Sequence, residues 1–421
     1  MMKVTKRLLA LLLAGMMLFV LAACTPTEQT PSNAPASQDP GTNATDDNSG
    51  NGGDAPSGDP IKIGHIGSIA GDGAYIGQAC KAALEDYVAD LNARGGLLGR
   101  PVEVITYDYS VDPATEAITV TNRLIQQDKV QVIIGPTTSV AAIAIADLID
   151  AAQIPLIASA ATNGKVTVSE ETGELHPYMF RVCFIDPYQG FALADFAYKQ
   201  EEIRKVALFD SIGDAYSQAM CQFFKDRFEE LGGEIVGTMG YQRLDVEFRA
   251  QLSDANSKGA EAIFMPATTY KYGVMVGNQA QDMGYEFQFL FGDALYAEEL
   301  LTNAGPALEG ALMTNGVYED DPAFAEYKDA FAAAHPGVTS NMYSHYSLDA
   351  IMLFEWAVNK AQSVDGPALK EALESAENVE LWTDKSFTVD PSNHNPLNKT
   401  VNIIKIVDSQ YTVYDVYKPE D

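Results

Sequence analysis

The sequence predicts an α/β protein of two lobes, each a mostly parallel sheet flanked by helices. Two observations carry this. Short β-branched runs alternate strictly with helical periods from Ile61 onward, and the alternation restarts after Phe184 as a second unit of similar length. The globular stretch is also long, roughly 360 residues, which favours two cores over one.

In the first unit, Ile61–Gly67 alternates and breaks into a glycine-rich loop over 67–77. A helix follows, with Ile76, Cys80, Leu84, Tyr87, Val88 and Leu91 on one face, and Gly95-Gly96 ends it. Val102–Tyr107 reads as a strand, and a helix over 114–127 is entered through Asp112-Pro113. Val130–Ile134 is a buried strand ended by Gly135-Pro136, followed by a helix over 140–151 and a short strand over 155–159. Met179–Phe184 closes the unit.

The second unit gives a helix over 191–199, a strand at Lys205–Phe209 and a helix over 216–231. Strands at 262–265 and 287–291 bracket a helix over 271–283. Helices over 322–334 and 343–362 then precede a strand pair, Val401–Val407 and Tyr411–Tyr417, joined by Asp408-Ser409-Gln410. A tail that serves both lobes implies that the chain crosses between them more than once.

The start of the chain is of another kind. Lys3, Lys6 and Arg7 precede an apolar run to Ala23, which describes a secretory signal over 1–23. Leu21-Ala-Ala-Cys24 resembles a bacterial lipobox, which implies that Cys24 becomes the lipid-bearing first residue. Residues 24–60 contain nothing from which to build a core and read as a disordered tether. Its reach is on the order of 30–36 Å for about 36 residues. The expected place is therefore the extracytoplasmic face of a bacterial membrane, held by lipid alone.

Charge excludes one class of partner. Removing Lys3, Lys6 and Arg7 from the 27 Lys+Arg leaves 24 against 58 Asp+Glu, so there is little with which to grip a phosphate backbone, and no nucleic acid is expected. Cys80, Cys183 and Cys221 show no CxxC or short-spaced pair and read as small buried hydrophobes. His65, His176, His335, His345 and His394 have no metal-ligand spacing. No GxSxG or HExxH occurs, so no enzyme is expected. Gly71-Asp-Gly-Ala-Tyr-Ile-Gly77 brushes against a dinucleotide fingerprint, but Tyr75 is awkward there, and no cofactor is expected.

Parallel sheets bind ligands beyond the carboxyl ends of their strands. The first unit offers 68–75, 136–139 and 159–163 at these ends, neutral and rich in hydroxyls. The second offers 210–216, 267–270 and 292–296, with the acids Asp210, Asp214 and Asp293. Such a division suits a zwitterion, whose carboxylate goes to hydroxyls and helix-start N–H groups and whose ammonium goes to an acid.

Ile61-Lys-Ile-Gly64, Asn92–Pro101, Tyr107–Pro113, Val132–Pro136 and Gly213-Asp-Ala-Tyr216 together resemble the branched-chain-amino-acid type of solute-binding protein that feeds ABC importers, a type I periplasmic-binding fold. The resemblance spans Ile61 to Tyr417. It implies two lobes joined by a three-strand hinge, with crossings near 181–187, 314–319 and 385–390. The first lobe is then 61–183 plus 318–385, the second 184–317 plus 386–421. It implies a monomer that captures a small polar solute, an amino acid above all, and delivers it to a permease and its ATPase.

By the same resemblance Ser139 and Thr162 hold a carboxylate, with Ala160 lending a backbone group. Asp293 takes the α-ammonium, Tyr75 and Tyr216 close over the solute, and a further tyrosine position falls near Thr269 or Tyr270. Members with a small disulfide near the Tyr107–Pro113 loop have Cys where this chain has Val111 and Thr138. Two alternatives stay open: a ligand-sensing adaptor for a signalling partner, and a binder of amides, urea-like compounds or aromatic acids, for which Asp293 has no ammonium to meet.

Overall fold

The computed structural model describes residues 56–109, 113–397 and 399–418. The signal at 1–23, Cys24, the tether up to residue 55 and Val111 lie outside them.

The first sheet takes strands β1 (Ile61–Gly67), β2 (Val102–Asp108), β3 (Val132–Ile134), β4 (Leu156–Ala158) and β5 (Met179–Arg181), in the order β2-β1-β3-β4-β5. All are parallel, with Ile61 beside Val102 and Ile63 beside Val132. Strands β1, β3, β4 and β5 are buried on both faces, while the edge strand β2 is half-buried. Ile61, Ile63, Val132 and Ile134 enter one core, while Ile66 and Ile133 enter the other. This two-sided burial is why the strands read as continuous apolar runs. Helix α1 (Ala74–Ala93) covers one face, and α2 (Pro113–Arg123) and α3 (Ser139–Ala152) cover the other. Each fully buried isoleucine contributes about 1.5–3 kcal/mol by leaving water.

The second sheet repeats the plan. Its strands are β6 (Lys205–Ser211), β7 (Glu234–Tyr241), β8 (Ala262–Met265), β9 (Gln288–Phe291) and β10 (Leu312–Asn315), ordered β10-β9-β8-β6-β7 and parallel. Antiparallel β11 (Val401–Val407) and β12 (Gln410–Tyr417) extend it past β10. Helices α4 (Asp186–Lys199) and α5 (Ala215–Glu230) cover one face; α6 (Arg249–Ser257), α7 (Tyr270–Asp282) and α8 (Glu298–Ala304) cover the other. Strands β7 and β10 and helices α6 and α8 were not expected from the sequence.

Helices α9 (Ala325–Ala334), α10 (Met342–Ala361) and α11 (Gly366–Glu374) return to the first lobe, where α10 packs on α1. Asn341 starts α10 with a reciprocal cap. Its Oδ1 accepts from Ser344 N at 3.1 Å, and Ser344 Oγ accepts from Asn341 N at 2.9 Å. The last crossing differs from expectation. Phe387 and Val389 pack in the first lobe's core and His394 stacks on Phe180, so the chain leaves that lobe only after 394, not at 385–386. An apolar pair at this spacing needs a core to enter, and the first lobe supplies it.

Cys80, Cys183 and Cys221 are free and buried. Burial pushes the thiols of Cys80 and Cys183 up to about 12. Among the described residues no helix is long and apolar enough to cross a membrane.

Candidate ligand-binding site

In both sheets the strand order reverses beside the first strand, between β1 and β3 and between β6 and β8. Loops leaving these switch points open a crevice, and here the two crevices face each other. The lobes touch across it. Asn163 Nδ2 donates to Ala215 O at 2.8 Å, and Tyr75 Oη donates to Ala294 O at 3.4 Å. The Tyr75 and Tyr270 rings meet edge to face at 5.3 Å, and Lys271 pairs with Asp72.

At the centre lies a cavity of about 30 Å³. Thr137, Thr138, Ser139, Ala160 and Thr162 line it from the first lobe, and Asp214, Tyr216, Thr268, Asp293 and Ala294 from the second. Of the six residues expected at a ligand site, five are brought together here: Ser139, Ala160, Thr162, Tyr216 and Asp293. Tyr75 is not among them. It lines a separate cavity of about 690 Å³, and its hydroxyl spans to Ala294 between the two spaces. A third cavity of about 380 Å³ shares Ile76, Thr137, Thr138, Asp214 and Thr268 with the centre and continues past Tyr109, Ile212, Leu244 and Tyr272.

Ser139 is the first residue of α3, not its cap. Thr138 holds the cap position and makes no side-chain cap bond, so the helix start is not closed by its own cap side chain. Ser139 Oγ accepts from Asn163 N at 3.2 Å. The loop carrying Ala160 and Thr162 is pinned by buried Arg181, which donates to Ala161 O at 2.8 Å, Asn163 O at 2.7 Å and Thr167 Oγ1 at 3.3 Å. Three donors of one rigid fork fix a loop that has no sheet bonds of its own. Across the crevice Asp214 caps α5, accepting from Ser217 N at 2.9 Å.

Asp293 follows β9 through Gly292. Its Oδ1 accepts from Tyr216 Oη at 2.6 Å, and its N–H donates to Gln189 Oε1 at 3.3 Å. Gly292 is what permits this. A Cβ there would lie 2.0 Å from Tyr216 Oη. Burial pushes the Asp293 carboxyl up to about 6 and holds the Tyr216 hydroxyl well above its usual value.

Sequence reasoning missed two residues. Tyr343, the second residue of α10, lines the central cavity from a segment far along the chain. Asp186 opens α4, donates its N–H to Thr162 O at 3.1 Å and is fully buried. Neither of its carboxylate oxygens has a partner among the described residues, and burial pushes it up to about 8. Asp186-Pro187 reads locally as a helix entry, which hid it. The expected tyrosine near 269–270 resolves into two roles: Tyr270 meets Tyr75, while Thr268 lines the centre.

Residues 60–410 match the sequence model of the family described as periplasmic binding protein. An amino acid binding protein of Pseudomonas aeruginosa is 28% identical over 75% of this chain and 82% of its own. A leucine binding protein from Thermotoga maritima superposes with a TM-score of 0.77 at 27% identity, covering 85% of this chain and 99% of that one. A branched-chain amino acid transporter substrate binding protein of Streptococcus pneumoniae, solved with isoleucine, gives a TM-score of 0.76 at 25% identity over 86% of this chain and all of that one.

Proposed function

The chain belongs to the periplasmic binding protein family, and from that membership we propose that it captures an L-amino acid between its lobes for an ABC importer. One observation carries the reading: hydroxyls from one lobe and a buried acid from the other converge on a single cavity. The solute's carboxylate lies against Ser139 Oγ, Thr162 and the open start of α3, where backbone N–H groups favour an anion. Its ammonium meets Asp293, displacing the Tyr216 hydroxyl. Its side chain points past Ile76 into the third cavity, whose walls Tyr109, Ile212, Leu244 and Tyr272 suit an aliphatic or aromatic group. Arg181 positions Thr162, and Gln189 positions Asp293 while accepting from Thr314 Oγ1 at 2.7 Å. No bond is made or broken: the solute is bound, enclosed and handed on.

Capture beside a membrane fits a lipid on Cys24 and a tether of about 36 residues, which confine the body near its permease. Metabolic labelling with a clickable fatty acid tests the anchor, and a label that survives Cys24→Ser refutes it.

The solute is tested by thermal unfolding against L-amino acids, amides and organic acids. A ligand at a hundred times its Kd adds about 2.7 kcal/mol, a shift of several degrees. A shift with one class of amino acids supports the reading. A shift only with compounds lacking an ammonium removes the role given to Asp293.

A further inference from the structure

A cavity of about 690 Å³ plays no part in amino-acid capture as proposed above, and its walls have a chemistry of their own. Tyr75, Tyr296, Tyr318 and Tyr411 form its aromatic surfaces, with Glu299 and Glu319 among the carboxylates that line it. Tyr296 and Tyr411 stack at 4.2 Å. Lys328, the one base on these walls among the described residues, is already engaged by Asp320 at 2.6 Å.

Glu319 is the informative group. It is 6% exposed, and its Oε2 accepts from His345 Nε2 at 3.1 Å, while Trp382 Nε1 donates to His345 Nδ1 at 2.6 Å. An indole N–H can only donate, so His345 Nδ1 must accept and the ring proton sits on Nε2, directed at Glu319. This Trp382–His345 chain holds the Glu319 carboxyl group in one orientation through its Oε2. Its other oxygen, Oε1, has no partner among the described residues. A buried carboxylate fixed in place, half satisfied and lining one cavity with tyrosine rings is the recognition chemistry of an organic cation.

We propose that this cavity is a second binding site, for a small alkylammonium of the diamine class, with Glu319 receiving one ammonium, Glu299 the other, and the tyrosine rings packing on the methylenes. A bare metal ion does not fit: no group of three or more His, Cys, Asp or Glu among the described residues is placed to hold one, and the space is far larger than an ion needs.

The test is isothermal titration of the full chain with putrescine at 150 mM NaCl, beside 1,4-butanediol as the neutral isostere. The expected result is saturable binding of one putrescine and none of the diol. Glu319→Gln, which keeps an acceptor for His345, should weaken putrescine at least tenfold, and Asp293→Asn should leave it unchanged. If Glu319→Gln does not fold, Glu299→Gln at the half-exposed end takes its place with the same expected loss. Absence of saturable binding overturns the proposal. So does binding indifferent to the Glu319 and Glu299 variants, which is general attraction to an acidic protein. Loss in Asp293→Asn moves the cation to the central cavity and overturns it as well, without touching the amino-acid reading.

Discussion

Replacing Asp186 by Asn should make the protein more resistant to unfolding as pH rises. Asp186 is fully buried with neither oxygen in a close hydrogen bond among the described residues, and its carboxyl is pushed up from 3.8 to about 8. Burial is the main cause. Asp293 and Asp214 nearby add to it, while Arg181 and Thr162 oppose it. The sign follows from proton counting. Below 3.8 both native and unfolded chains hold the proton, and the group does not bias folding. Between 3.8 and about 8 the native state still binds it and the unfolded state does not, so stability is lost as pH rises through that window. At about 1.36 kcal/mol per pH unit, wild type loses on the order of 4 kcal/mol from this group between pH 4.5 and 7.5. Asparagine cannot titrate, so the variant keeps that amount. For roughly 360 residues it corresponds to about 5 °C in Tm. The amide left among the same neighbours carries a penalty that does not depend on pH, and the general repulsion of an acidic chain is common to both proteins. Both cancel when the variant-minus-wild-type difference at pH 4.5 is subtracted from that at pH 7.5. Thermal unfolding of both proteins at the two pH values measures it. Parallel curves would refute the claim that a buried carboxyl with a raised pKa sits behind Thr162.

The central site gives a second pH dependence. With Asp293 held up at about 6, affinity for an ammonium-bearing solute should fall about tenfold per unit below pH 6, and titration calorimetry of Asp293→Asn should show weaker binding without that slope. Gly292→Ala drives a methyl to 2.0 Å from Tyr216 Oη. It should cost on the order of 1–3 kcal/mol in urea unfolding, and adding Tyr216→Phe should recover part of the loss. Lys271→Ala removes the ion pair to Asp72 between two exposed side chains. Folding stability should change by less than about 1 kcal/mol, while stopped-flow solute release should quicken; unchanged release would mean the pair does not hold the lobes together.

Much of this architecture was legible because both sheets are buried on two faces, so β1, β3, β6 and β8 stand out as apolar runs between amphipathic helices. Strand β7 escaped because it is an edge strand interrupted by Gly237 and Gly240, and α6 and α11 because nine residues give barely two helical periods. Topology pointed to the strand-end segments 136–139, 159–163 and 292–296, and the family resemblance singled out Ser139, Thr162 and Asp293 within them. What topology could not convey is which side of the crevice a long side chain falls on. Tyr75 sits one residue from Ile76, and the α1 backbone turns the two into different cavities. Tyr343 was invisible for a related reason, since it reaches the centre through the chain's return to a lobe it had left.

The three buried thiols set a clock on this protein's biogenesis. Cys80 and Cys183 belong to the first lobe's core and Cys221 to the second's. Once folded, none is open to oxidants and none can ionise near neutral pH. Under the export proposed above, the chain would cross a membrane unfolded and arrive with all three exposed. Protection therefore depends on the order of events: both cores must close before any two thiols find each other. A variant that folds slowly in either lobe would accumulate wrongly cross-linked chains during export, while its finished molecules would look sound.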